Sequence, residues 1–220
     1  MTATNLFITG TAAALLCGLL LAEREGRRNL ILGVKTACSC AFVATAILQE
    51  HPLAAYFHWV LAGLLLGLVG DVCLALRGDR AFRAGLVAFL LGHVAYVVAF
   101  ALVVRRPEDW LTALHLLLVA VSCYVLWWLW PRLGAMRGPV VAYVLVISAM
   151  VAAAISAAGN PLLPGVGRWT LLLGAVCFYL SDLCVARDRF VAQGFANRLL
   201  GLPLYYGGQF LIAFSVGLVG

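Results

Sequence analysis

Two aspartates lie inside stretches of sequence that otherwise have the composition of membrane-spanning helices. Asp71 falls in GLLLGLVGDVCLAL and Asp182 falls in LLLGAVCFYLSDLCVA. A charged carboxylate at the centre of such a helix costs about 2.5–3.5 kcal/mol on insertion scales. Acids in membrane segments are therefore rare, and they are typical of ion, proton or substrate sites. We predict that Asp71 and Asp182 form the functional site of this protein.

Composition predicts an all-α membrane protein. Hydrophobic residues make up 65% and charged residues 11% of the 220 residues, and the mean hydropathy is +1.05. About 20 apolar residues are enough to cross a bilayer as a helix. The sequence then predicts a bundle of eight transmembrane helices, at residues 6–22, 30–48, 56–76, 83–104, 110–130, 139–157, 168–186 and 198–219. Because the connections are short, we expect a single integral-membrane domain over residues 1–220.

The basic residues predict the orientation of the helices. A net charge of +6 would suggest an acidic partner in a soluble protein, but these arginines lie in loops, and no nucleic-acid partner is expected. The loops after helices one, three, five and seven hold eleven arginines, against Arg105, Arg106 and Arg168 in the others. The positive-inside rule then places the first set in the cytoplasm and both termini outside, as in a bacterial inner membrane. Residues 1–5 carry no positive side chain, so we expect the first helix to be retained rather than cleaved.

Most other polar side chains within the predicted helices converge on one layer. At 1.5 Å per residue, Asp71 lies about 9 Å and Asp182 about 7–8 Å inside the cytoplasmic helix ends. Lys35 falls at about the same depth, and Tyr143 is slightly shallower. Four further polar residues lie deeper, at or inside the midplane: His93, Tyr205, Tyr206 and Gln209. We therefore predict one polar pocket in the cytoplasmic half of the bundle.

Helical spacing places several of these residues on shared faces. Tyr179 precedes Asp182 by three residues, with Ser181 beside it, and Tyr205 precedes Gln209 by four. Tyr206 is three residues before Gln209. In helix four, one stripe contains the aromatic and imidazole rings of Phe89, His93, Tyr96 and Phe100. We expect these polar groups to orient a water molecule or a polar substrate atom beside the acids.

A short internal repeat connects the two acids. GDVCLALRGDRAF (70–82) and SDLCVARDRF (181–190) share a small residue, Asp, any residue and Cys, followed by an apolar run, an Asp-Arg turn and Phe. Both segments cross the membrane in the same direction. This pattern predicts a parallel duplication of four helices plus four, in which each half donates one acid.

Two carboxyls in one pocket suit acid–base chemistry. If they approach closely they cannot both be charged, so one can hold a proton while the other accepts one. Acid-catalysed hydrolysis of an ether or acetal needs this arrangement. Lys35 could hold one acid ionised. All seven cysteines fall in predicted spans and are interpreted as packing residues.

Several alternatives remain open at this point. The acids could pair with Lys35 or an arginine and only fix the helices, or the chain could be a lipid-binding bundle without turnover. A proton-coupled transporter could use the acids as a relay, but it would need polar residues across the outer half, which is nearly bare. A metal site is not expected, because no His-x-x-x-His or Glu-x-x-His pair exists. Ser181 lacks the G-x-S-x-G turn of a serine hydrolase.

The same residues resemble a known family, the YhhN-like lysoplasmalogenases. The resemblance is carried by GDVCLAL…FRAGLVAFLLGHVAYVVAF (70–100), the lysine of helix two, Pro139-x-x-x-Tyr143, YLSDLCVARDRF (179–190) and the late Tyr205, Tyr206 and Gln209. Members of this family are polytopic membrane hydrolases that cleave the vinyl ether bond of lysoplasmalogens. The resemblance implies a lysophospholipid substrate, no cofactor, and Asp71 and Asp182 as the two essential acids.

The resemblance also implies how the lipid would lie. It would enter from the inner leaflet, with its alkenyl tail against Phe89, Tyr96, Phe100 and Phe178 and its phosphate near the cytoplasmic arginines, Arg189 first. One aspartic acid would protonate the vinyl ether, and the other, ionised, would stabilise the cation and take a proton from water. The sequence assigns neither role to a particular acid.

Overall fold

Eight α-helices make up almost all of the computed structural model, which describes residues 3–76, 78–104 and 112–220. They are α1 (Ala3–Glu25), α2 (Arg28–Leu48), α3 (Ala54–Ala75), α4 (Asp79–Ala101), α5 (Ala113–Leu129), α6 (Arg137–Gly159), α7 (Gly165–Phe190) and α8 (Phe195–Ser215). Two short 3₁₀ turns, Trp130–Arg132 and Gly134–Met136, join α5 to α6. The predicted all-α architecture is confirmed. Three of the loop arginines, Arg77, Arg105 and Arg106, lie outside the described residues.

Seven of these helices, α1 to α7, are long and apolar enough to cross a membrane in the described part of the chain. The eighth does not reach the same apolar composition, because α8 carries Asn197, Arg198 and Gln209 within 21 residues. The surface fits this assignment, since large apolar side chains such as Leu116 and Trp127 of α5 are 66% and 72% exposed. The chain is a polytopic membrane bundle.

The helices follow the same contact plan in the two halves of the chain. The most extensive contacts join α3 to α4 and α7 to α8. The helix α2 lies against α3 as α6 lies against α7, and α1 lies against α2 as α5 lies against α6. Across the halves, α2 contacts α8 and α6 contacts α4. Each of these pairs has its counterpart four helices later, as a four-plus-four repeat requires, whereas the smaller contacts of α8 with α1 and α3 have no counterpart of similar extent among the described residues.

Glycines at equivalent positions allow the closest of these contacts. A Cβ atom on Gly92 of α4 would lie 3.3 Å from the carbonyl oxygen of Gly63 in α3. A Cβ atom on Gly208 of α8 would lie 2.8 Å from the carbonyl oxygen of Gly174 in α7. Gly63 and Gly174 are 111 residues apart, as are Asp71 and Asp182. Small residues at such crossings let helix backbones approach closely in a membrane. The two halves therefore place their acids on similar scaffolds.

Candidate active site

A cavity of about 850 Å³ opens at the end of the bundle where α1, α3 and α7 finish and α4 and α8 begin. Asp71 and Asp182 both line it. Its mouth is charged, with side chains of both signs: Glu23, Arg28, Asp79, Asp188, Arg189 and Arg198. Its apolar wall comes from α5 and α6, through Val125, Leu129, Val140, Val144 and Ile147. The cavity thus joins a charged rim to an apolar wall beside two acids.

Asp71 is almost completely enclosed and accepts bonds from three donors. Its side chain is 2% exposed, and the Lys35 ammonium lies 3.4 Å from Oδ1. The hydroxyls of Ser39 and Tyr205 donate to Oδ2 at 2.6 and 2.7 Å. Lys35 and Ser39 are four residues apart on α2, so that both reach α3 from one face. Tyr205 comes from α8.

A chain of hydrogen bonds behind Tyr205 determines the direction in which its hydroxyl points. Tyr96 of α4 donates to Oε1 of Gln209 at 2.6 Å, and Nε2 of Gln209 donates to the Tyr205 oxygen at 3.3 Å. An amide oxygen only accepts and an amide nitrogen only donates, so the proton of Tyr205 is left for Asp71. Tyr206 donates to the backbone carbonyl of Lys35 at 3.4 Å.

Asp182 has fewer partners and is more open. The Tyr143 hydroxyl donates to its Oδ2 at 2.7 Å, and Nε2 of His93 lies 3.6 Å from the same oxygen. Its side chain is 17% exposed. Among the described residues, Oδ1 has no hydrogen-bond partner, and neither ring nitrogen of His93 has one. One carboxylate oxygen of Asp182 is therefore free to meet a ligand in the cavity.

Aromatic rings lie between His93, which is next to Asp182, and Tyr205, which donates to Asp71. The Phe178 ring lies 4.6 Å from the His93 ring and 5.2 Å from the Tyr205 ring, measured between centroids. Phe89 packs edge-on against both Phe178 and Tyr205, at 6.3 and 5.8 Å. Each acid therefore keeps its own set of partners, and within the described structure the two carboxyls form no direct hydrogen-bonded pair.

Comparison with known proteins identifies the family. The sequence profile of the YhhN family matches residues 30–216. The chain belongs to the YhhN family. A protein named lysoplasmalogenase from Mycobacterium bovis is 32% identical over 189 residues, covering 84% of this chain and 68% of the relative. Lysoplasmalogenase TMEM86A of Bos taurus is 34% identical over 172 residues, covering 76% and 68%.

A relative without an assigned activity is also similar. The uncharacterized membrane protein YhhN of Escherichia coli is 27% identical over 173 residues, covering 76% of this chain and 78% of the relative. No solved structure matches the chain. The family is therefore assigned from sequence similarity alone. The site geometry described above comes from the structure of this chain and not from a solved relative.

Of the predicted site residues that line the cavity, three have polar atoms bound to groups other than the acids. The Tyr179 hydroxyl lies 3.1 Å from Ser122 of α5 rather than beside Asp182. Ser181 donates to the Phe178 carbonyl of its own helix at 2.7 Å. Arg189, at the mouth, pairs with Asp79 at 3.1 Å. All three line the cavity, but their polar atoms are held elsewhere.

The aromatic stripe of α4 is mostly core rather than cavity wall. Tyr96 and Phe100 are 1% and 0% exposed and stack on each other, with centroids 5.9 Å apart. Phe178 is 2% exposed. Of the aromatic residues expected to hold the lipid tail, Phe89 lines the cavity, and the apolar wall defined above supplies the rest of that surface. The physical reason is that α4 lies inside the bundle, between α3 and α6.

Ser39 is a site residue that the sequence reasoning missed. Its spacing of four from Lys35 was a usable signal, because such residues share a helix face. A second missed signal lies in α4 and α8, where Gly85, Phe89, Gly92 and His93 match Gly201, Tyr205, Gly208 and Gln209 at a constant separation of 116 residues.

In the described part of the chain, no group of three His, Cys, Asp or Glu side chains is placed to hold a metal ion.

Proposed function

We propose that this YhhN-family protein hydrolyses the vinyl ether bond of a lysoplasmalogen, releasing a fatty aldehyde and a glycerophospho-headgroup product. Relatives from a bacterium and a mammal carry the name lysoplasmalogenase. The observation that carries the proposal is that two enclosed acids with different partners line one cavity between a charged mouth and an apolar wall. A single-chain lipid has the same division, with its ether bond between headgroup and tail.

The chemistry requires one proton donor and one base. Protonation of the β-carbon of a vinyl ether generates an oxocarbenium ion, which water captures to give a hemiacetal that collapses to aldehyde and alcohol. A fixed carboxylate near the cation stabilises it electrostatically, because the site does not have to reorganise as the charge develops. The second carboxyl supplies the proton as a general acid, and such acid–base catalysis contributes roughly 10²–10⁴-fold to rate.

The lipid would lie with its phosphate at the mouth and its alkenyl chain along the apolar wall. Arg189 and Arg198 stand at the mouth, each already paired with an acid, at 3.1 Å from Asp79 and 3.2 Å from Glu23. A phosphate could replace those carboxylates as the partner of either arginine. With the arginine-rich loops in the cytoplasm, this mouth faces the cytoplasmic leaflet, and both chain termini lie outside.

Aldehyde release from a 1-alkenyl lysophospholipid, by the protein purified in detergent, tests this function. We expect release by the wild type and a loss of roughly 10²-fold or more in both Asp71→Asn and Asp182→Asn. Glu25→Gln is the matched control, because Glu25 pairs with Arg27 at the surface and does not line the cavity. A wild type that releases no aldehyde from choline or ethanolamine substrates would overturn the proposal and leave proton-coupled transport as the next function to test.

A further inference from the structure

We propose that the two acids have fixed and different roles: Asp182 gives the proton to the alkenyl β-carbon, and Asp71 stays ionised and takes the proton of the attacking water. Tyr205, Gln209 and Ser39 are positioning residues that hold Asp71 in this role. The inference rests on the proposed function. The two halves of the chain hold their acids at equivalent places but surround them with different partners.

The two acids occupy equivalent positions. Asp71 is contacted by α2, the helix before it, and by α8, the last helix of the other half. Asp182 is contacted by α6, the helix before it, and by α4, the last helix of the other half. Since the scaffolds correspond, any difference in the chemistry of the two carboxyls comes from the side chains that surround them.

Those side chains differ at four corresponding places, one of which is His93 in α4 against Gln209 in α8. Where α2 presents Lys35 to its acid, α6 presents Tyr143. Four residues further on, Ser39 in α2 corresponds to Ile147 in α6. Tyr205 in α8 corresponds to Phe89 in α4, at the 116-residue separation described above. Asp71 therefore has an ammonium and two hydroxyl donors, whereas Asp182 has one hydroxyl donor and the His93 ring, whose Nε2 lies 3.6 Å from Oδ2.

The donors around Asp71 suit a carboxylate that carries its charge. The Lys35 ammonium, 3.4 Å away, favours the ionised form of the acid. The Gln209 amide group donates to the Tyr205 oxygen and cannot accept from it, so Asp71 Oδ2 is the acceptor left for the Tyr205 O–H among the described residues. When Asp71 is ionised, the O–H groups of Tyr205 and Ser39 can both donate to the same oxygen, Oδ2.

Ser39 also provides for the step in which Asp71 takes up a proton. Its Oγ lies 2.6 Å from Asp71 Oδ2 and 2.9 Å from the backbone carbonyl oxygen of Lys35. When Asp71 receives a proton on Oδ2, the serine O–H can turn to the carbonyl, and its oxygen then accepts from the acid. A hydroxyl combines one donor with two acceptor positions, so no heavy atom has to move.

Asp182 is arranged to deliver a proton. Tyr143 occupies Oδ2, while Oδ1 is without a partner among the described residues and belongs to a side chain that lines the cavity. A proton on Oδ1 would point at a ligand rather than at the protein. Among the described residues, the basic nitrogen within ion-pair distance of the acid is Nε2 of His93, which lies 3.6 Å from Oδ2.

The complete reaction returns both acids to their starting states. Asp182 gives its proton to the β-carbon as the C=C electrons form the new C–H bond and the ether oxygen shares the resulting cation. Water attacks the cationic carbon and gives a proton to Asp71. The hemiacetal hydroxyl then returns a proton to Asp182, its oxygen forms the carbonyl, and the C–O bond to glycerol breaks as Asp71 protonates the leaving oxygen. The sum is one ether and one water to one aldehyde and one alcohol.

Hydrogen exchange at the alkenyl β-carbon separates the two roles. A 1-alkenyl lysophosphatidylethanolamine would be incubated in D₂O with wild type, Asp71→Asn or Asp182→Asn, and the recovered substrate analysed by mass spectrometry. In Asp71→Asn, the cation formed by Asp182 loses a proton more often than it captures water, so deuterium should enter the substrate about tenfold faster than aldehyde appears. Asp182→Asn should show neither reaction. Deuterium entry in Asp182→Asn only, or in neither variant, would overturn the assignment.

A matched pair of gentler variants keeps the test valid if an Asn variant fails to fold. Tyr205→Phe removes one donor from Asp71, and Tyr143→Phe removes the donor from Asp182. The ratio of exchange to aldehyde release should rise about tenfold in Tyr205→Phe and stay within about twofold in Tyr143→Phe, where both reactions slow together. The opposite pattern would reverse the roles. A wild type that releases no aldehyde contradicts the proposed function instead, so the two failures are distinguishable.

Discussion

Lys35 is the only lysine of the chain, and the other fourteen basic side chains are arginines. It is also the only cation in direct contact with Asp71 among the described residues. An arginine fork would bind both carboxylate oxygens at once, whereas an ammonium is a compact point charge. Because Lys35 contacts Oδ1 alone, Oδ2 is left to the hydroxyl donors. A lysine at this position therefore leaves Oδ2 of Asp71 available to accept hydrogen bonds from Ser39 and Tyr205.

Removing the Lys35 charge should cost stability as well as activity. Lys35→Met leaves an enclosed carboxylate without its cation, and breaking a buried pair in this way typically costs about 3–5 kcal/mol. We expect a lower midpoint in thermal unfolding in detergent and little aldehyde release. Lys35→Met combined with Asp71→Asn should be more stable than Lys35→Met alone, since no unpaired charge remains. A double variant whose destabilisation equals the sum of the two single effects would contradict this coupling.

At the scale of elements, α3 provides a glycine face against which the site is built. A Cβ atom on Gly70 would lie 2.7 Å from the Phe89 ring, and one on Gly63 would overlap the Tyr96 ring. A Cβ atom on Gly67 would lie 2.8 Å from Nε2 of Gln209. These glycines let α4 and α8 bring their polar side chains against α3. The hydrogen-bond chain from Tyr96 to Asp71 depends on that close approach.

Gly67→Ala should therefore impair the site through Gln209. The added methyl group displaces the amide that donates to Tyr205, and overpacking of this kind costs about 1–3 kcal/mol. We expect a drop in kcat with a smaller change in KM, measured by aldehyde release. Gly33→Ala in α2 is the control, because nothing lies within 4 Å of its added Cβ atom. Equal activity in the two variants would show that the Gln209 position does not matter to the reaction.

Counting residues along the helices predicted which residues belong to the site better than it predicted their hydrogen-bond partners. The depth of Lys35 and Asp71 follows from 1.5 Å per residue, and the pair is present in the structure. Tyr179, which shares a helix face with Asp182, was expected to orient a water molecule or a substrate atom beside the acids, yet its hydroxyl reaches Ser122 on α5. Likewise, Tyr205 donates to Asp71 of α3 and not to Asp182 of α7, although α8 contacts both helices and contacts α7 more extensively. Which helix lies beside which is a tertiary property that spacing along one helix does not contain.

At the scale of the whole molecule, the cavity mouth and most loop arginines lie at the same end of the bundle. Arg28, Arg189 and Arg198 line the mouth, and α1, α3 and α7 all finish there. In a membrane this end would face anionic headgroups, which attract basic residues near the surface. The orientation of the chain therefore decides which leaflet supplies the substrate.

Reporter fusions test that orientation. Alkaline phosphatase fused after Gly220 should be active, because the terminus is expected outside, and the same enzyme fused after Gln193 should be inactive. A fluorescent protein that folds only in the cytoplasm should give the opposite pattern at the two positions. The reversed result at both positions would place the mouth, and with it the source of the lipid, on the outer side.

Asp71 takes its partners from both halves of the chain, and these are synthesised at different times. Tyr205 follows Asp71 by 134 residues, whereas Lys35 precedes it by 36. At roughly 5–20 residues per second, the ribosome needs about 7–27 s to go from the acid to its last donor. During that interval α2 and α3 can already neutralise the acid as a pair, which spares a lone carboxylate in the bilayer. In the nascent protein, the charge of Asp71 would therefore be neutralised early by Lys35. Asp71 would be positioned as a base only after α8 has been inserted.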